Sequence, residues 1–465
     1  MGSTPTPPTC DMTEDSGGLK SSLKFPKGFK FGTATAPFQV EGNISGQRKT
    51  DWDLFLERHP GIVKPGEVGP NWWTPGEAEA DFRRIAKLGV HTQRLGFEWA
   101  RIEPEKNRIA KEAVQRYRQM IDCLKGLGIE PIVTLNHFSL PAWVAGEGGW
   151  AAKENRRAFI RYVGFIANEF SDVSYWLTIN EPDVLVKLGY FMGTWPPEKK
   201  NLKTALVARH NLIKAHNEAY VLLKKANPKS QVGSVHNIIW FKPNNPDSLI
   251  DRNYTKLWNY IFSTNWIRAT QEHADFTGVN FYAGYYLKFN PRKLTITERE
   301  DALYMVKTLY FGETVKPGAD TSDMGWPIVP DFFLDFLRYL HKEFKNPILI
   351  TENGIADRKD AYRSSYILTH LVALWKAIQE GVDVRGYIHW STVDNLEWKD
   401  GYSQRFGLIG VDPKTGERTI RQSAALYREI AKSGEIDVEQ LAKTYLTGKQ
   451  REKALEISEK ILSRG

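Results

Sequence analysis

Short apolar runs with strand composition recur along the chain, separated by stretches in which apolar residues fall at helical spacing. The runs cover 29–36, 92–96, 131–136 and 175–180 in the first half, and 231–236, 276–281, 347–351 and 385–390 in the second. Between them, 77–88 and 112–127 repeat apolar side chains every three or four positions, the mark of a helix with one buried face. Strands alternating with helices predict a parallel sheet, and eight strands is the number that closes a (β/α)8 barrel. An open doubly wound sheet is the competing architecture, but no G-x-G-x-x-G follows the first strand. No Ser/Gly/Pro linker or break in composition interrupts the chain between residue 25 and about residue 432. The expectation is an α/β fold, a single (β/α)8 TIM barrel with loop insertions over 23–434. A disordered leader over 1–22 and surface helices over 435–465 complete it.

Polar or ionisable residues gather where these strands end: Gln39, Arg94, His137, Glu181, Asn280, Glu352 and Trp390. A barrel brings all its strand C-termini to one rim, so residues far apart in sequence converge there on a single pocket. Ordinary turn residues would serve structure equally well at those places. Chemistry explains the whole set better.

Composition narrows the function. The chain has 465 residues, 41% of them hydrophobic and 25% charged, which excludes disorder, collagen and coiled coil as the main plan. The net charge of +8 is not concentrated in any long run of like charges, so nothing demands nucleic acid as a partner. Fifteen Trp, 19 Tyr and 23 Phe suit large cores or sugar-stacking surfaces. Cys10 and Cys123 are the only cysteines, which excludes a disulfide framework and a cysteine zinc site. The first 22 residues have no apolar h-region and no stretch approaches membrane-spanning length. The sequence therefore reads as cytoplasmic, without stable membrane association, metal or cofactor, and with the oligomeric state open. The start Met1-Gly2-Ser3-Thr4-Pro5-Thr6 formally fits a myristoylation pattern, too loose to carry weight.

Two glutamates stand out by context. Glu181 follows the apolar strand in Trp176-Leu177-Thr178-Ile179-Asn180-Glu181-Pro182, and Glu352 follows another in Ile348-Leu349-Ile350-Thr351-Glu352-Asn353-Gly354. Paired carboxylates in one pocket are what cleavage of a glycosidic bond requires: one protonated to donate to the leaving oxygen, one ionised at the anomeric centre. Like charges held close raise one of the two pKa values, so the pair helps keep its own acid protonated.

Asn180-Glu181-Pro182 and Thr351-Glu352-Asn353-Gly354 resemble the two signature motifs of the family 1 glycoside hydrolases, the retaining β-glucosidases and their relatives. The likeness spans roughly residues 25 to 434 and implies a barrel with Glu181 as acid/base and Glu352 as nucleophile. It further implies that Gln39, His137 and Asn180 hold hydroxyls of the sugar next to the scissile bond. Arg94 and Tyr282 would support the nucleophile, with Asn280 beside them. Trp390 would form the stacking floor, and Trp326, in Met324-Gly325-Trp326, would sit beside the leaving group.

The stretch Asp394-Asn395-Leu396-Glu397-Trp398-Lys399-Asp400-Gly401-Tyr402 resembles the segment that selects the substrate. Glu397 can accept from the 4- and 6-hydroxyls and Trp398 can donate to the 3-hydroxyl. Relatives acting on 6-phosphorylated sugars carry Ser, Lys and Tyr where this chain has Glu397, Gln404 and Phe406, so an unphosphorylated β-glucoside is the expected substrate, with β-galactosides and β-fucosides close behind. Gly96 and Ala100 stand where serines are usual, and the stretch 237–275 is short for the family, implying an open mouth. Other segments resemble archaeal-type members and plant galactolipid galactosyltransferases. A transglycosidase using the same intermediate is therefore one alternative, and a non-catalytic sugar-binding module is a lesser one.

Overall fold

Eight parallel strands close into a ring in the computed structural model, which describes residues 22–42, 49–295, 310–315 and 319–464. Residues 1–21 of the expected leader, Cys10 included, lie outside the described residues. The strands are β1 (Lys30–Ala34), β2 (Thr92–Gly96), β3 (Glu130–Asn136), β4 (Tyr175–Asn180), β5 (Gln231–Pro243), β6 (Phe276–Thr295), β7 (Ile348–Asn353) and β8 (Val384–Trp390). Each pairs in parallel with its sequence neighbours, and β8 pairs with β1 to complete the barrel. Helices α1 (Glu77–Lys87), α2 (Lys111–Gly126), α3 (Lys153–Glu169), α4 (Leu202–Ala226), α5 (Leu249–Asn259), α6 (Pro330–Glu343), α7 (Arg363–Gln379) and α8 (Gln422–Ser433) follow the strands in turn. The expected (β/α)8 barrel is the observed fold.

Burial explains why the strands read as apolar runs. A parallel barrel strand is covered on one side by helices and on the other by the barrel interior, so both of its faces select apolar side chains. β2 and β7 are buried along their whole length. Polar residues inside the barrel are satisfied by one another: Thr33 Oγ1 donates to Gln93 Oε1 at 2.7 Å, and Thr392 Oγ1 donates to the same oxygen at 3.1 Å. Most of the tryptophan serves the core, with Trp52, Trp72, Trp99, Trp150 and Trp176 fully buried.

Beyond the expected strand ends, β5 and β6 run on and pair with each other as far as Pro243 and Leu287. β6 then pairs antiparallel with the strand Tyr310–Val315. These extensions raise one wall of the rim above the barrel. At the opposite end, Leu23–Lys24 pairs with Glu435–Ile436, and helices α9 (Val438–Tyr445) and α10 (Gly448–Leu462) follow, α10 packing on α7.

Tyr427 of α8 fastens helix to barrel. Its hydroxyl donates to Gly32 O at 2.8 Å and accepts from Gly32 N at 3.1 Å, fully buried beneath β1. Tyr427→Phe keeps the ring and removes the hydroxyl's bonds to both groups of Gly32. Loss of about 1–2 kcal/mol of stability is expected, read as a lower unfolding midpoint in denaturant with turnover of a soluble glycoside retained.

Candidate active site

The C-terminal ends of the strands meet in a pocket of about 630 Å³. Its wall includes His137, Asn180, Glu181, Tyr282, Trp326, Glu352, Trp390, Glu397, Trp398 and Phe406. Of the residues singled out from sequence, Gln39, Arg94 and Asn280 do not line the wall. They lie buried behind it and hold the side chains that do. Gln404 is half-buried and stays outside the pocket, whereas Phe406 enters it.

Glu181 stands one residue past β4 in a left-handed backbone conformation, φ 41° and ψ 57°. Such a conformation costs a non-glycine residue about 1–3 kcal/mol. It lets the chain turn at once into the helical turn Pro182–Leu185, with Pro182 at the first helical position, where its missing N–H goes unused. The Glu181 amide donates to Val235 O at 3.0 Å, locking the turn to β5. Its carboxyl receives a hydrogen bond from Asn280 Nδ2 at 2.7 Å.

Glu352 is held differently. Arg94 rises from the middle of β2, fully buried, and its Nη1 donates to Glu352 Oε1 at 2.5 Å. The guanidinium makes three further bonds: Nη1 to Thr351 O, Nη2 to Asn180 Oδ1 at 2.7 Å and Nε to Thr134 Oγ1 at 3.1 Å. Tyr282 donates its phenol to Glu352 Oε2 at 2.6 Å. After Glu352 the chain needs Gly354, because a Cβ there would lie 1.8 Å from Trp390 O. That close approach seats β7 against Trp390.

Electrostatics separate the two carboxyls. Burial drives the Glu181 pKa well above the usual carboxylate range, and the neighbouring Glu352 and Asp183 charges push it further. Burial lifts Glu352 as well, but there Arg94, Tyr282 and Asn280 all pull downward. Of the pair, Glu352 is the one prepared to ionise first. Tyr282 itself stays protonated, its pKa raised by burial and by Glu352, so it remains a donor.

The remaining polar groups form a second network. His137 is kept neutral by burial and by Arg94. Asn180 Nδ2 donates to His137 Nε2 at 3.1 Å, which leaves the proton on Nδ1. The His137 ring lies nearly parallel to Trp390 and Trp398, with centroids 5.9 and 6.0 Å away. Gln39, in the short helix Pro37–Glu41 after β1, donates to Asn395 Oδ1, Leu396 O and Glu397 Oε2. Its Oε1 is buried without a protein partner. Burial, Asp400 and Glu352 push Glu397 up to about 8. A carboxyl raised that far is protonated over much of the neutral range and is a donor as well as an acceptor, whereas sequence suggested an acceptor only.

Sequence reasoning missed Phe138, Leu188, Trp195, Asn237 and Asp400, all of which reach the pocket. Phe138 and Asp400 lie beside recognised residues in His137-Phe138 and Trp398-Lys399-Asp400, so adjacency was the available signal. Among the described residues no cluster of His, Cys, Asp and Glu could hold a metal ion, and no helix is long and apolar enough to cross a membrane.

Comparison with known proteins agrees with this geometry. The model of glycosyl hydrolase family 1 matches residues 21–271 and 261–436. The chain is 32% identical to β-glucosidase A of Thermotoga maritima, covering 89% of this chain and 99% of that one. It is 30% identical to a β-galactosidase of Saccharolobus solfataricus, covering 89% and 96%. A solved β-glycosidase from Pyrococcus horikoshii aligns with a TM-score of 0.79 at 35% identity, over 92% of this chain and 99% of that one. The Thermotoga maritima β-glucosidase in complex with glucoimidazole aligns with a TM-score of 0.79 at 30% identity, over 89% and 99%. Barrel, carboxylate pair and full-length similarity lead to one conclusion: the chain belongs to glycosyl hydrolase family 1 and is an enzyme acting on O-glycosyl bonds.

Proposed function

We propose that this enzyme hydrolyses unphosphorylated β-D-glucosides with retention of configuration, through a covalent glycosyl-enzyme on Glu352. The observation that carries this reading is the contrast between the two carboxyls: Glu352 clamped by Arg94 and Tyr282, Glu181 buried beside negative charge. In the first step the Glu352 carboxylate attacks the anomeric carbon while Glu181 gives its proton to the departing oxygen. In the second, Glu181, now ionised, takes a proton from water, which displaces Glu352 and restores both groups. Asn280 supports the short carboxyl spacing of a retaining site, because its single amide acts on both glutamates.

Substrate choice rests on the wall. Trp390 offers a flat floor for the ring, Trp398 a donor, and His137, Asn180 and Glu397 a set of polar partners for hydroxyls, with Gln39 holding Glu397 from behind. Trp326, which would lie beside the leaving group, and Phe406 both pack near Tyr282. Lys and Arg are missing from the described wall, which carries Glu181, Glu352, Glu397 and Asp400. A phosphorylated sugar would enter without a cation to meet it. Relatives named β-glucosidase and β-galactosidase support acceptance of both 4-hydroxyl epimers. The scarcity of cysteine supports a cytoplasmic setting.

Glu352→Ala should abolish turnover, with partial recovery of an activated substrate on adding formate. Glu181→Gln should slow alkyl glucosides far more than nitrophenyl glucosides, since a good leaving group needs little protonation. Equal losses across a leaving-group series would reverse the assignment.

Activity needs Glu352 ionised and Glu181 protonated. The Tyr282 hydrogen bond lowers the Glu352 pKa, so Tyr282→Phe should raise it. The acid limb of kcat/KM should then move to higher pH by about one unit, the basic limb moving less. Separately, kcat/KM for 6-phosphoglucosides should fall below that for glucosides by about two orders of magnitude or more, measured on matched nitrophenyl substrates.

A further inference from the structure

One surface region has no part in the catalytic reading, and its composition is unusual. Nine of the eleven large apolar side chains exposed among the described residues lie within 191–207 and 249–261. Phe191, Leu202 and Leu206 line a groove with Tyr260 and Ile261. Its far bank is α5 with the turn that continues it, Tyr260–Thr264. Leu249, at 62% exposure, Ile250, Leu257, Tyr260 and Ile261 all point outward. At about 100° per residue, these five fall in a sector roughly 120° wide.

α5 buries polar side chains while an apolar stripe stays outward. Its buried residues are Asp251, Thr255 and Asn259, beside half-buried Tyr254 and Trp258, which pack on Phe289 and Phe262. Two of the three polar residues are tied to the strand extensions. Asp251 Oδ1 accepts from Phe289 N at 3.0 Å, while Asn259 both accepts from Phe241 N and donates to Phe241 O at 2.9 Å. Those bonds fix the rotation of the helix and leave its apolar stripe in water. A soluble surface helix shows the opposite order, and an exposed contiguous apolar patch marks an interaction face.

Charge identifies the occupant. Residues 187–209 and 249–261 hold seven Lys and Arg against two Asp and Glu. Of the two acids, Glu198 is paired with Arg58 and His59, and Asp251 is buried. Lys199, Lys200, Lys203, Arg252 and Lys256 are exposed, with no carboxylate in ion-pair range among the described residues. A second copy meeting this face about a two-fold axis would bring like charges together. An apolar stripe rimmed by cations matches a headgroup layer of negative charge above acyl chains. We propose that this face docks reversibly on an anionic phospholipid bilayer. Both segments belong to the loops after β4 and β5, and Phe191 ends the helical segment that begins beside Glu181. Docking therefore brings the pocket rim to the lipid surface, within reach of glycosides carried on amphiphiles.

The test is sedimentation of the full chain with phosphatidylcholine vesicles, with and without about 30% phosphatidylglycerol. Binding to the anionic vesicles should exceed that to the neutral ones by about tenfold, and about 0.5 M salt should remove most of it. Leu257→Glu with Ile261→Glu, and separately Lys199→Glu with Lys200→Glu and Lys203→Glu, should each reduce binding about tenfold. Turnover of a soluble nitrophenyl glucoside, measured without vesicles, should be unchanged in both variants and reads the catalytic assignment independently. Equal binding to both vesicle types, or wild-type binding by the variants, overturns the proposal. So does a lipid-free dimer that the same substitutions dissolve, which would make the face a contact between copies.

Discussion

A buried arginine against a buried carboxylate is the constraint on which the rest of the site depends. Arg94 spans the barrel interior from β2 to β7, and its guanidinium donates four hydrogen bonds: to Glu352, to the Thr351 carbonyl, to Asn180 and to Thr134. Taking such a pair out of water costs several kcal/mol per ion, and good geometry with further hydrogen bonds is what offsets it. The same charge that pulls the Glu352 pKa down also pulls down that of His137, which burial keeps neutral. It also orients Asn180, whose Nδ2 then fixes the His137 tautomer. Removing Arg94 would therefore disturb the nucleophile, the acid and the sugar-binding side of the pocket together.

The division of labour between the glutamates follows from neighbours rather than from the residues themselves. Both are glutamates at strand ends, both are buried, and burial alone would keep both protonated. Arg94 and Tyr282 act on one, whereas Asp183 and the ionised partner act on the other. A fold that supplies a cation and a phenol to one carboxyl and an acidic neighbour to the other separates the pKa values of two groups of the same side-chain type, as the proposed acid and nucleophile require.

Much of this was legible in the sequence. All eight strands could be found because both of their faces are buried, and α1 and α2 fall within a residue of the predicted 77–88 and 112–127. The overruns of β5 and β6 could not be read. Segments such as Ile238-Ile239-Trp240-Phe241 gain their pairing only from Phe281 to Leu287 across the rim, a contact no local pattern encodes. Glu181 and Glu352 were legible through their motifs. Asp183 was not, because its influence comes through space on a neighbour's charge. Glu397 was singled out from sequence and does line the pocket, yet its raised pKa depends on burial and on Asp400, which only the assembled pocket brings together. The outward stripe of α5 escaped for a similar reason: a helical period tells that one face is apolar, not which way Asp251 and Asn259 will turn it.

The central claim is that Glu352 is ionised while Glu181 keeps its proton, each because of the other and of Arg94. Carbon-13 NMR titration of carboxyl-labelled glutamate tests it most directly, with Glu352→Gln and Glu181→Gln used to assign the two resonances. Glu352 should titrate below Glu181 in the free enzyme. In the Glu352→Gln variant, loss of the neighbouring charge should bring the Glu181 pKa down by about one unit or more. A Glu181 titration that is unchanged by that substitution, or that lies below the Glu352 titration in the wild type, would contradict the account.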